Sequence, residues 1–186
     1  MYNLIVFNLG YLLVCDFGIA KLISGDEVAH TRIGTTEYMA PEILKGRTYG
    51  LSVDWWALGT LLYELLIGIP PFYHHNHHKM EKLIVSKKKT VPFENIEKMG
   101  IQISENAKDI INKLLSKDPA IRLGTKGGID EILSHPWFSD VDIQAVIDKK
   151  VPSPYIPKVK TDAELVEEAV RTKVKEEVDK SVVPEP

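Results

Sequence analysis

One cysteine in 186 residues, Cys15, excludes an internal disulfide and suits a reducing compartment. The formal net charge is only −3, which gives no electrostatic case for binding nucleic acid or an anionic membrane. No apolar run reaches the roughly 20 residues that a membrane-spanning helix needs. Residues 2–14 are broken by Asn3, Asn8 and Gly10 and have no basic leader, so they read neither as a span nor as a signal peptide. Residues 55–69 contain Glu64 and stop at Pro70-Pro71, which favours a helix buried in protein. No aromatic residue follows Tyr155, and no internal repeat is found. A nucleotide-binding phosphate loop is missing too: Gly124-Thr125-Lys126-Gly127-Gly128 lacks both the Gly-Lys-Ser/Thr ending and a preceding strand.

What is present is enough for one core, since 44% of the residues are hydrophobic. Leu4-Ile5-Val6-Phe7 and Tyr11-Leu12-Leu13-Val14 flank Asn8-Leu9-Gly10 and read as a β-hairpin. The polar segment 24–36 has few packing residues and is expected to be a mobile loop. Pro41-Glu42-Ile43-Leu44 starts as a short helix. Ser52 is placed to cap the next helix, which is apolar on nearly every face and should form the centre of the domain. Further helices are expected over 79–86, from Ser104 with Ile110, Ile111, Leu114 and Leu115 at helical spacing until Pro119, and over 130–133. Lys87-Lys88-Lys89 reads as a solvated run. Pro152, Pro154 and Pro157 mark an extended strap, after which Thr161 and Glu164 form a possible capping box for a helix to Lys180, against which disorder is the alternative.

Asp16-Phe17-Gly18 is followed 24 residues later by Ala40-Pro41-Glu42, and the stretch between them ends Gly34-Thr35-Thr36-Glu37-Tyr38-Met39. Beyond it stand Asp54-Trp55-Trp56-Ala57-Leu58-Gly59 and Pro70-Pro71-Phe72-Tyr73. Then come Leu115-Ser116-Lys117-Asp118-Pro119 with Arg122-Leu123-Gly124, and His135-Pro136-Trp137-Phe138. In this order the motifs resemble a eukaryotic protein kinase from its D-F-G turn through the activation segment and A-P-E closure. The double Trp, Glu-Tyr-Met-Ala-Pro-Glu and the Pro-rich strap are similar to the AGC group of serine/threonine kinases, in particular its ribosomal-protein kinase and Akt-like branches.

The resemblance implies a mostly α fold: a kinase-like large lobe with a short N-terminal β-hairpin and no small lobe. Residues 1–151 would be a partial kinase domain and 152–186 an AGC-like C-terminal extension, partly extended or disordered. ATP and Mg²⁺ are the implied cofactors, with Asp16 holding the metal against the phosphates. Asn3 lies thirteen residues before Asp16, the family's spacing for the second metal ligand, which makes Asn3 its match. The catalytic Asp would then fall before Met1, and with it the phosphate-binding Lys and the Gly-rich loop. Cys15 would line the nucleotide pocket. Tyr2 stands where the AGC group usually has a substrate-binding Glu.

By the same resemblance Thr31 is the activation-loop phosphosite, served by an upstream activating kinase, and Lys21 is one cation for its phosphate. Thr35 would steady the catalytic Asp and the incoming peptide, and Glu64 would receive an Arg of a basic Ser/Thr substrate. Glu42 should pair with Arg122 in a buried bridge, and Asp54 should hold the catalytic-loop backbone. The implied reaction is phosphoryl transfer to protein Ser or Thr, in the cytoplasm or nucleus, with little activity from the isolated 186 residues. The alternatives are a non-catalytic, pseudokinase-like binding module and an aggregation-prone fragment with an exposed apolar face. Tyr73-His74-His75-Asn76-His77-His78 is a weaker candidate for a metal, because adjacent His side chains point apart.

Overall fold

The computed structural model describes residues 3–6, 10–23, 27–87 and 91–157. The described chain falls into two units, residues 16–144 and, separately, residues 3–15 with 145–157.

The larger unit is helical. Its axis is α2 (Ser52–Ile67), whose Trp56, Gly59, Thr60 and Tyr63 are buried. These positions recur three and four residues apart, so they share one helix face. Against that face packs α5 (Glu105–Leu114), which contributes Ile110, Ile111 and Leu114 to the same core. The two helices approach closely because position 59 has no side chain: a Cβ there would lie 2.8 Å from the Leu114 Cβ. Trp56 stacks on Phe72 at 6.0 Å between ring centroids, and Tyr63 tilts against Phe93 at 5.7 Å.

Several boundaries depart from the sequence expectation. Ser52 does not cap α2. Leu51 already has helical backbone angles (φ −58°, ψ −25°), so Ser52 falls inside the first turn, and its carbonyl instead accepts from Arg122. The centre of the domain is one face of α2 rather than its whole girth, for Leu65 and Leu66 are exposed. Helix α3 (His77–Val85) starts two residues earlier than expected, because the Asn76 side chain accepts from the Lys79 amide. Helix α5 is capped by Ser104, which accepts from the Ala107 amide, but it ends at Leu114 rather than at Pro119. Asp118 then accepts from the Ala120 amide and opens a separate 3₁₀ turn over Pro119–Ile121.

The short α1 (Pro41–Leu44) is where the motif placed it, and α6 (Gly128–Leu133) starts two residues early. Two helices were not expected: α4 (Phe93–Lys98), which buries Phe93 and Ile96, and α7 (Ile143–Ile147). Six and five residues are too few to display a helical period.

In the second unit β1 (Asn3–Val6) and β2 (Leu12–Cys15) pair antiparallel, with Asn3 opposite Cys15 and Val6 opposite Leu12. Gly10, at φ +80°, lies against the extended strap 151–157: the Tyr11 hydroxyl donates to the Val151 carbonyl at 3.1 Å and Ser153 Oγ to the Gly10 carbonyl at 3.2 Å. The hairpin turn at 7–9, most of the lysine run and the expected helix over 161–180 lie outside the described residues. The architecture is mostly helical with one short hairpin, as the resemblance implied.

Candidate functional site

Immediately after β2 the chain reverses at Asp16, which holds a left-handed backbone (φ +63°). A non-glycine residue pays roughly 1–3 kcal/mol for that conformation, so its neighbours must impose it. The Ala20 amide closes the turn on the Phe17 carbonyl at 3.0 Å. Asp16 thereby stands at the rim of a cleft of about 150 Å³, together with Lys21, Thr35, Tyr38, Tyr49 and Asp54. Asp54 reaches it from the first turn of α2 and Thr35 from the residue before a 3₁₀ turn over Thr36–Tyr38.

The far wall of the cleft is the segment expected to be a loose loop. Its residues 27–35 form no helix or strand, yet they are tied down at three points. Ala29 and Tyr49 exchange both backbone hydrogen bonds, at 2.9 and 3.1 Å. The Tyr49 hydroxyl donates to the Thr31 carbonyl at 2.6 Å, and Arg32 pairs with Glu81 on α3.

The structure brings four of the sequence-selected residues together around this cleft: Asp16, Lys21, Thr35 and Asp54. Thr31 and Glu64 are not among its lining residues. The Thr31 side chain is exposed, and Lys21 donates to the Val28 carbonyl at 3.5 Å, three residues before Thr31. Glu64 accepts the hydroxyl of Tyr38. Burial, followed by this bond and the Glu64 charge, pushes the Tyr38 phenol up to about 12. Cys15, half-buried at the end of β2, and Asn3, opposite it on β1, belong to the second unit.

Glu42 and Arg122 form a buried ion pair. The guanidinium donates to the two carboxylate oxygens at 2.7 and 2.9 Å, to the Ser52 carbonyl at 2.8 Å and to the Ser116 carbonyl at 3.1 Å. Its side chain is 0% exposed and that of Glu42 6%. The bridge thus fastens α1 to the start of α2 and the end of α5. Beside it Lys117 donates to the Ile84 carbonyl at the end of α3, at 2.7 Å, and sits 3.6 Å above the Phe72 ring. Burial, then the Lys45 and Arg122 charges, push the Lys117 ammonium down to about 7.

The histidine stretch forms no metal site of three ligands among the described residues. The His74 and His75 rings stack obliquely at 4.3 Å, and His74 Nδ1 accepts the Asn76 amide. Sequence reasoning missed Tyr38, Tyr49 and Lys117. Tyr38 and Lys117 sit inside quoted motifs, where their side chains could have been asked for partners; Tyr49 carries no local signal.

The protein kinase domain model matches residues 1–138. Protein kinase 2 of Dictyostelium discoideum is 39% identical over 163 residues, 88% of this chain and 32% of that protein. Serine/threonine-protein kinase gad8 of Schizosaccharomyces pombe is 40% identical over 160 residues, 86% of this chain and 26% of its own. Serine/threonine-protein kinase sgk-1 of Caenorhabditis elegans is 38% identical over 159 residues, 85% and 33%. The chain spans a third or less of the length of these relatives. With the D-F-G turn, the segment running to Ala40-Pro41-Glu42 and the Glu42–Arg122 bridge in one helical body, the chain belongs to the protein kinase domain family, among AGC-type serine/threonine kinases.

Proposed function

We propose that this chain is the helical part of a kinase that moves the γ-phosphoryl of ATP to Ser or Thr hydroxyls of proteins. The observation that carries the reading is Asp16: an exposed carboxylate, held in a left-handed turn at the rim of a cleft that it shares with Thr35 and Asp54. An oxygen donor suits Mg²⁺, which takes one or two carboxylates and completes its shell with water and phosphate oxygens. Asp16 would hold the ion, and Asn3 is proposed as its second protein ligand on the sequence match alone. Bound there, Mg²⁺ would neutralise charge on the phosphates.

The remaining roles belong to the chain's own groups. Thr35, whose carbonyl accepts the Tyr38 amide at 3.1 Å, presents its hydroxyl on a fixed turn from which a peptide hydroxyl can be steadied. Glu64, restrained by the Tyr38 hydroxyl, is proposed to receive a basic residue of the substrate, since one carboxylate can accept from a phenol and a guanidinium together. Thr31 is proposed as the residue phosphorylated by an activating kinase, on a segment already fastened on either side by Tyr49 and Arg32.

No H-R-D motif occurs in the 186 residues, so the general base is assigned outside them. Two measurements test the reading. Incubated with radiolabelled ATP and a basic Ser peptide, the 186-residue chain should transfer no label; turnover that disappears in Asp16→Ala would contradict the assignment of the base. Mn²⁺ with ATP should broaden the amide signals of Phe17 and Gly18, and Asp16→Ala should abolish the broadening. Equal broadening in both proteins would contradict the metal assignment.

A further inference from the structure

The strap 151–157 is held to the hairpin by a device that a single modification would undo. Ser153 is its pivot. Its hydroxyl faces two carbonyl oxygens, Tyr155 at 2.8 Å and Gly10 at 3.2 Å, and accepts the Tyr155 amide at 3.2 Å. The Gly10 α-carbon is pressed against the same group: a Cβ there would come within 2.2 Å of Ser153 Oγ and 2.0 Å of the Tyr155 carbonyl oxygen. Tyr11 adds its bond to Val151, and the Lys149 ammonium lies 5.8 Å from the Tyr11 ring centre.

Ser153 is also followed by Pro154, the only Ser-Pro or Thr-Pro pair in the 186 residues. Proline removes the amide after the serine and biases the serine itself to an extended backbone. Residues 151–157 form no regular element, and Tyr155 and Ile156 are each 64% exposed, so few bonds must break for the segment to enter another enzyme's peptide groove.

We propose that Ser153 is a phosphorylation site for a proline-directed serine/threonine kinase, and that its phosphate releases the strap from the hairpin. In the transfer the Ser153 oxygen forms a bond to the γ-phosphorus of ATP, the bond from that phosphorus to the β–γ bridging oxygen breaks, ADP leaves, and the hydroxyl proton passes to the modifying kinase's base. The consequence follows from hydrogen-bond chemistry. A hydroxyl donates, whereas a phosphate dianion offers only acceptors and nearly two negative charges. Facing the Gly10 and Tyr155 carbonyl oxygens it would be repelled by both, and the close approach of Gly10 leaves no room for three more oxygens.

The test uses the whole 186-residue chain, ATP and a proline-directed kinase, with site mapping by mass spectrometry and hydrogen exchange before and after. The expected result is one phosphate on Ser153, none in Ser153→Ala, and at least tenfold faster exchange in peptides covering 10–15 and 151–157, with the α5 peptide unchanged. Gly10→Ala, unphosphorylated, should show the same local acceleration, because its methyl group displaces the same contact. Three outcomes would overturn the proposal: no phosphate on Ser153 in the folded chain while a synthetic 148–158 peptide is modified; phosphate on Ser153 with unchanged exchange; or Gly10→Ala with wild-type exchange.

Discussion

Removing the Arg122 guanidinium while keeping its volume apolar, as in Arg122→Met, should cost about 3–5 kcal/mol, the usual consequence of breaking a buried ion pair from one side. The structure explains why the upper part of that range applies. The substitution leaves the buried Glu42 carboxylate without its cation, and strips the Ser52 and Ser116 carbonyls of donors at 2.8 and 3.1 Å. A domain of this size is stable by about 5–15 kcal/mol, so a third or more of the total is at stake. The double variant Glu42→Leu/Arg122→Met no longer buries an unpaired charge and should lose at least about 2 kcal/mol less than the two single changes added together. Urea unfolding followed by tryptophan fluorescence reads this directly, because Trp56 is buried with its ring 5.3 Å from the Arg122 guanidinium carbon. A loss below about 1 kcal/mol in Arg122→Met, or strict additivity in the double variant, would refute the claim that this bridge fastens α1, α2 and α5 together.

Two titrations supply further predictions. Lys117 has its folded pKa lowered to about 7 from 10.5, so between those values the unfolded chain holds a proton that the folded chain does not. Wild-type stability should therefore rise relative to Lys117→Met as pH increases from 7 towards 10; urea midpoints of both proteins at pH 6.5 and 9 check this, and a constant difference would refute it. Tyr38 has its pKa raised to about 12, so its stabilisation is complete below pH 10 and disappears between pH 10 and about 12. Burial also raises the Tyr63 phenol, so absorbance of tyrosinate near 295 nm should show one fewer late-ionising phenol in Tyr38→Phe than in the wild type; identical curves would contradict the Tyr38–Glu64 bond.

The parts of the molecule that could be read from the chain are those whose cause is local or tied to a motif. Ser104, Glu105 and Asn106 precede a clean apolar period, and Ser104 caps α5. Ser52 looks equivalent in sequence, yet Leu51 before it is already helical and a guanidinium seventy residues away takes its carbonyl. That is tertiary information, invisible to spacing. The same holds for the cleft. Asp16, Thr35 and Asp54 stand in motifs that signal chemistry, whereas Tyr49 enters through a two-residue bridge to Ala29 that no periodicity announces. Helix α4 is set by the core that its Phe93 and Ile96 cover, and neither it nor α7 carries a pattern long enough to detect.

The most direct test of the central claim joins residues 3–186 to the part of gad8 that precedes its matching segment. Such a chimera, once shown to unfold cooperatively, should transfer phosphate from Mg²⁺–ATP to a Ser peptide, and Asp16→Asn should lower the rate by about a hundredfold or more. A folded chimera that transfers nothing, or one whose rate is indifferent to Asp16→Asn, would contradict the assignment of Asp16 as the residue that holds the metal for phosphoryl transfer.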